Sequence, residues 1–188
     1  MRIVAVRHGQ TEGNVSQIIQ SRTDGKLSEL GIQQAKVTAD RLKDQTFDAI
    51  YCSTLGRCKE TLGYIKEFHQ EVPVHFSDLL MELDKGELDG KHWSDLPDDF
   101  YSSNNVDNKL PGGESWNELA NRLQVILNEI FNAGYQSVLI VTHDGPLRVL
   151  HALLDTISLG DAIGIGYENA GIYKFEMHEL FKQKLGQE

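Results

Sequence analysis

The chain has 188 residues with 28 Asp and Glu against 18 Lys and Arg, a formal charge of −10, and is 40% hydrophobic and 24% charged. That is room for one domain with a real core, and the composition excludes disordered and collagen-like classes. The acidic excess excludes nucleic acid and an anionic membrane surface as the main partner, since both need a basic footprint.

No apolar run approaches the ~18 residues that span a bilayer, and Met1 to Val6 lacks the long apolar stretch and small-residue site of a signal peptide. The chain therefore reads as cytoplasmic. Short runs rich in β-branched residues at Arg2 to Val6, Ala49 to Cys52 and Val138 to Thr142 predict strands buried on both faces of a parallel sheet. Between the first two, Ser28 caps a helix expected to turn Leu30, Ala35, Ala39 and Leu42 inward. A second helix follows over Leu55 to Phe68. A third begins at the capping-box pair Ser115 and Glu118 and buries Leu119, Leu123, Ile126, Leu127 and Ile130. After the Val138 strand, Pro146 suits the first turn of a helix with Leu147, Leu150 and Leu154 along one side. The tail beyond His178 reads as a charged outer helix.

The β-α-β-α order predicts an α/β fold, a three-layer α/β/α sandwich with a mostly parallel central sheet. There is no repeat or linker, so 1–188 is taken as one domain. Residues 77–113 depart from the pattern: rich in Asp, Asn, Ser and Gly, with Pro97 and Pro111, they are expected to form a cap-like insertion over the site. Cys52 and Cys58 lack zinc-type spacing and read as buried apolar residues, and His69, His75, His92, His151 and His178 as structural or exposed.

Ligands of open α/β sheets bind beyond the carboxyl ends of the strands. Here those ends read Arg7-His8-Gly9, Ser53 with Arg57 one turn on, and His143-Asp144-Gly145. Two arginines and two histidines thus reach one rim. Guanidinium forks bind phosphate oxygens in pairs, and a neutral imidazole can accept a phosphoryl group. Glu82, between apolar Met81 and Leu83, is the candidate acid for a leaving alkoxide.

The run Arg7-His8-Gly9-Gln10-Thr11-Glu12-Gly13-Asn14 resembles the signature of the histidine phosphatase superfamily, in its phosphoglycerate mutase-like branch. Gln20, the segment Leu27 to Ala35, Ser53-Thr54-Leu55-Gly56-Arg57, Pro111 to Ser115 and Val141-Thr142-His143 follow in the family's order, so the similarity covers Met1 to Leu154. It implies His8 as nucleophile, with Arg7, Arg57 and His143 holding the phosphoryl group and Glu82 as the acid. Asn14 and Gln20 fall where the family contacts phosphate or substrate, and the adjoining Ser21 and Asp144 are taken as further candidate substrate-binding residues. No metal or other cofactor is implied, and the partner is a small phosphorylated metabolite. Oligomeric state stays open, a homodimer being one option.

Two departures bear on activity. Asp144 stands where the family has a small residue, and beside a phosphate it is expected to face away and cap the following helix. Glu82-Leu83-Asp84-Lys85-Gly86 differs from the Glu-Arg-His-Tyr-Gly of the family's mutases, and the later cap segment lacks an arginine pair. The reading is a phosphomonoester hydrolase. A 2,3-bisphosphoglycerate-dependent mutase is the runner-up, and a phosphate-binding module without catalysis ranks third.

Overall fold

The computed structural model describes residues 1–155 and 157–178; the tail helix expected beyond His178 lies outside the described residues. Five strands, β1 (Arg2–Arg7), β2 (Ala49–Ser53), β3 (Val74–Ser77), β4 (Ser137–Thr142) and β5 (Ile172–Glu176), form one sheet in the order β3-β2-β4-β1-β5. All neighbours are parallel except β5, which runs antiparallel to β1.

Side chains alternate across a strand, so both faces must be covered where an apolar run is continuous. Val4, Val6, Ile50, Cys52, Leu139 and Val141 meet one layer, made of α2 (Glu29–Leu42) and α3 (Gly56–Lys66), through Ala39, Leu42, Cys58, Leu62 and Ile65. Ile3, Ala5, Ala49, Tyr51, Val138 and Ile140 meet the other, made of α4 (Trp116–Asn132) and α5 (Asp144–Leu154). α4 buries Leu119, Leu123, Ile126, Leu127 and Ile130 as its spacing predicts, each side chain contributing ~1.5–3 kcal/mol. Its start is the expected capping box, with Ser115 Oγ accepting from Glu118 N and Glu118 Oε2 accepting from Ser115 N.

The buried face of α2 differs from expectation by one position. Leu30 is 50% exposed, and Gly31 is the buried residue. A Cβ on Gly31 would sit 1.9 Å from the Gln10 carbonyl oxygen, so the first turn of α2 approaches the segment after β1 too closely for any side chain, and Leu30 is left outside.

Residues 77–113 contain no α-helix, only single 3₁₀ turns at Asp78–Leu80, Gly86–Leu88 and Trp93–Asp95. Backbone and core side chains hold them. Arg122 of α4 donates to the carbonyls of Leu79 and Met81 at 2.6 and 3.0 Å and pairs with Glu114 at 2.9 Å, and Thr142 Oγ1 donates to Leu80 O at 2.7 Å. Gly86 has φ +53° and lies against Pro111 and Gly113 backbone, a placement closed to other residues. No helix among the described residues is long and apolar enough to cross a membrane.

The remaining histidines serve local structure. His69 bonds to Leu42 O at 3.2 Å, His75 stacks on Tyr51, His92 caps the turn at Trp93, and His151 bonds to Tyr167 Oη at 2.6 Å; His178 is exposed.

Candidate active site

Strand order decides which sequence-distant groups meet. β1 and β4 are in register to their last pair, Arg7 and Thr142, so the residues after them emerge side by side. His8 N donates to Thr142 O at 3.0 Å, and the rings of His8 and His143 lie edge to face with centroids 5.1 Å apart.

The His8 ring is buried, and its Nδ1 lies 2.8 Å from the Gly9 carbonyl. A carbonyl can only accept, so Nδ1 carries the proton and Nε2 keeps its lone pair. Burial, then Arg57 and Arg7, push the pKa of His8 well below 6.5, so the ring is neutral at pH 7. His143 is fixed the other way round. Arg57 Nε donates to its Nδ1 at 3.2 Å, which leaves the proton on Nε2 to donate to Ser53 Oγ at 2.8 Å. Burial and then Arg57 lower this pKa also. Burial pushes the neighbouring Cys58 thiol up to about 12, so it stays protonated and is no rival nucleophile.

Arg57 projects from the first turn of α3 and is 1% exposed. Its remaining N–H groups donate to the carbonyls of Gln20, Ser21 and Thr23 at 3.0–3.3 Å. That loop is held by Asp89, whose carboxylate accepts from the N–H groups of Ser21, Arg22 and Thr23 and from Thr23 Oγ1 at 2.7–3.2 Å. Burial would raise the pKa of Asp89, but the hydrogen bonds from Ser21 and Thr23 outweigh it and hold the carboxyl below its ordinary range. Arg7 donates through Nη1 to Tyr167 O, while its buried Nε has no partner among the described residues.

Of the expected site residues, Arg7, His8, Asn14, Gln20, Arg57, Glu82 and Asp144 line one pocket. His143 and Ser21 stand behind it. His143 is wholly buried against His8 and Arg57, and Ser21, also wholly buried, contributes its carbonyl to Arg57. Asn14 and Gln20 are braced by Thr11, whose N–H donates to Asn14 Oδ1 at 3.0 Å and whose hydroxyl donates to Gln20 Oε1 at 2.5 Å. Glu82 is 6% exposed; its Oε1 accepts from the N–H groups of Leu83 and Gly145 at 2.7 and 3.0 Å, and no hydrogen bond engages Oε2 among the described residues.

Asp144 corrects an expectation. The N-cap residue of α5 is His143, and Asp144 is the first helical residue, turned to the pocket wall instead of away from it. Arg148, one turn along, draws its Oδ2 to 2.8 Å, and Oδ1 lies 3.8 Å from Arg7. Its charge is thereby matched within the protein, which is how a carboxylate can stand beside a phosphate site. The i, i+4 spacing of Asp144 and Arg148 carried that signal. Lys85, Trp93 and Tyr101 also line the pocket and were missed as site residues. Among them only Lys85, three residues after Glu82, had a position that could have pointed to the site. Burial and the nearby Asp144 and Glu82 raise the pKa of Tyr101, so it remains a hydroxyl donor.

A neutral imidazole between two arginines at the carboxyl edge of a parallel sheet suits phosphoryl transfer. Residues 3–184 match the model of the histidine phosphatase superfamily (branch 1), and the chain belongs to that family. It is 37% identical over 161 residues to the metal-independent phosphoserine phosphatase of Arabidopsis thaliana, covering 79% of this chain and 66% of that one. It is 32% identical over 164 residues to the adenosylcobalamin/alpha-ribazole phosphatase of Salmonella typhimurium, covering 84% and 81%. The structure of the mycobacterial glucosyl-3-phosphoglycerate phosphatase in complex with VO3 superimposes with a TM-score of 0.86 at 27% identity, covering 96% of this chain and 93% of that one. These relatives are named for three different substrates.

Proposed function

We propose that the chain hydrolyses a small phosphomonoester through a phosphohistidine on His8, with Glu82 as leaving-group acid. The observation that carries the proposal is the state of His8: neutral, with Nδ1–H anchored on Gly9 O and Nε2 free beside Arg7 and Arg57. In the first step Nε2 bonds to phosphorus as the ester P–O bond breaks, and the departing alkoxide takes the proton from Glu82. In the second, Glu82 takes a proton from water, the hydroxide oxygen bonds to phosphorus, and the P–N bond breaks to release inorganic phosphate and restore neutral His8. Arg7 and Arg57 stabilise charge on the equatorial oxygens, with His143 behind the pocket holding Arg57 Nε, and this requires no metal. The free buried thiols of Cys52 and Cys58 suit action in the reducing cytoplasm.

Chelator-treated protein should release phosphate from one or a few esters. His8→Ala should abolish turnover, at least ~10³-fold, with its fold intact by circular dichroism. Glu82→Gln should slow alkyl phosphates at least ~10²-fold and aryl phosphates, whose leaving groups need little protonation, far less. Equal losses on both would remove Glu82 from the acid role. Isomerisation of 3-phosphoglycerate that depends on 2,3-bisphosphoglycerate would instead identify a mutase.

A further inference from the structure

Only two non-glycine residues among the described residues lie in the left-handed backbone region, and one of them, Ala170, is buried beside His8 at φ +55°. Such a conformation persists where its surroundings hold it, and active sites are where it collects. Three bonds hold it here. Ala170 N donates to His8 O at 3.1 Å, Ala170 O accepts from Thr38 Oγ1 at 2.6 Å, and the next carbonyl, Gly171 O, accepts from Arg7 N at 3.3 Å.

The residue before it reaches further into the site. Asn169 Nδ2 donates to His8 O at 3.1 Å and to Asn14 Oδ1 at 3.3 Å, so one amide joins the His8 peptide to a residue of the pocket wall. Asn14 Oδ1 also accepts from Thr11 N at 3.0 Å. The Thr11 N–H can only donate and His8 O can only accept, so these two backbone groups settle which way round both amides stand. The Asn14 oxygen is taken by two protein donors. Its Nδ2, which no hydrogen bond engages among the described residues, is the polar atom left for the pocket. That atom is a donor, the polarity a phosphoryl oxygen needs, whereas the reverse orientation would set an acceptor against it.

We infer that Asn169 is a positioning residue of the phosphoryl site: it locks the Asn14 amide with its N–H groups towards the pocket and braces the His8 peptide. This rests on the hydrolase reading above. In Asn169→Ala the His8 carbonyl keeps its bond from Ala170 N, so the loss is felt through Asn14. The test uses p-nitrophenyl phosphate, whose leaving group needs little protonation, so that the phosphoryl half of the site is read apart from Glu82. Asn169→Ala should lower kcat/KM by ~10-fold or more, yet by less than ~3-fold when made in Asn14→Ala, because residues of one network do not act independently. Asn169→Asp keeps the size but sets an acceptor against two acceptor oxygens, so it should lose more than Asn169→Ala; a side chain that only fills space would give the reverse order. Circular dichroism checks the fold, and Asn169→Ser, which keeps a shorter donor, serves for the same double-variant comparison if Asn169→Ala does not fold. Losses that multiply in the double variant, wild-type kcat/KM in Asn169→Ala, or a milder loss in Asn169→Asp would overturn the inference and leave the hydrolase standing. A wild type that releases phosphate from no ester at all would overturn the hydrolase reading itself, and this inference with it.

Discussion

His8 and His143 are each kept neutral by burial first and by the neighbouring arginine second. This has a consequence for stability as well as for reactivity. Below pH 6.5 the unfolded chain protonates both rings while the native state does not, so the unfolded state binds more protons and stability falls as the pH drops towards the lowered native values. Each histidine can contribute a slope of up to ~1.4 kcal/mol per pH unit within that window. Urea unfolding at pH 7.5, 6.5 and 5.5 should show this loss, and His8→Asn should reduce the slope by about half. A slope unchanged by the substitution would mean that His8 is protonated in the native state. Which nitrogen of each ring bears the proton follows from its partner, the carbonyl of the adjoining Gly9 for His8 and the guanidinium of the sequence-distant Arg57 for His143.

Among the elements, the loop from Gln20 to Thr23 joins the segment 77–113, through Asp89, to Arg57. Its N–H groups face Asp89 and its carbonyls face Arg57, so one carboxylate of that segment orients a guanidinium it does not touch. Asp89→Ala should lower kcat by ~10- to 100-fold with a smaller change in KM, because misplaced charge is felt most in the transition state; Asp89→Asn, which keeps one acceptor, should lose less. Steady-state kinetics of the two variants checks this, and wild-type kcat in Asp89→Ala would show that the loop holds Arg57 unaided. The first turn of α2 offers a second test. Gly31→Ala would drive a Cβ into the Gln10 carbonyl, backbone against backbone, and should cost ~1–3 kcal/mol in denaturant unfolding. The inward pattern expected for this helix took Leu30 as core because apolar spacing reports which residues could be buried, not how close the neighbouring backbone comes.

At the scale of the whole molecule, the segment 77–113 and its Glu82 depend on Arg122, a residue of α4 40 positions after Glu82 in the chain. Removing it takes from Glu114 its nearer cation, leaving Arg22 at 3.7 Å and the Asp84 N–H, and leaves the carbonyls of Leu79, Met81 and Glu82 without that donor. Arg122→Ala should therefore cost ~3 kcal/mol and slow alkyl phosphates more than aryl phosphates, as loss of the acid would. Thermal unfolding and the two substrate classes measured together check both halves. The parallel core strands, the capping box at Ser115, the apolar face of α4, and the meeting of His8, Arg7, Arg57 and Glu82 at one pocket were legible in the sequence. Periodicity, capping chemistry and short motifs at strand ends are local, and local rules read them. The pocket wall of Trp93 and Tyr101, the approach of Asp144 to Arg7, and the tether of Arg57 through Asp89 were decided by tertiary structure alone. Each depends on groups from segments far apart in the chain, and no periodicity within one segment records which carboxylate or aromatic ring another segment will bring to it.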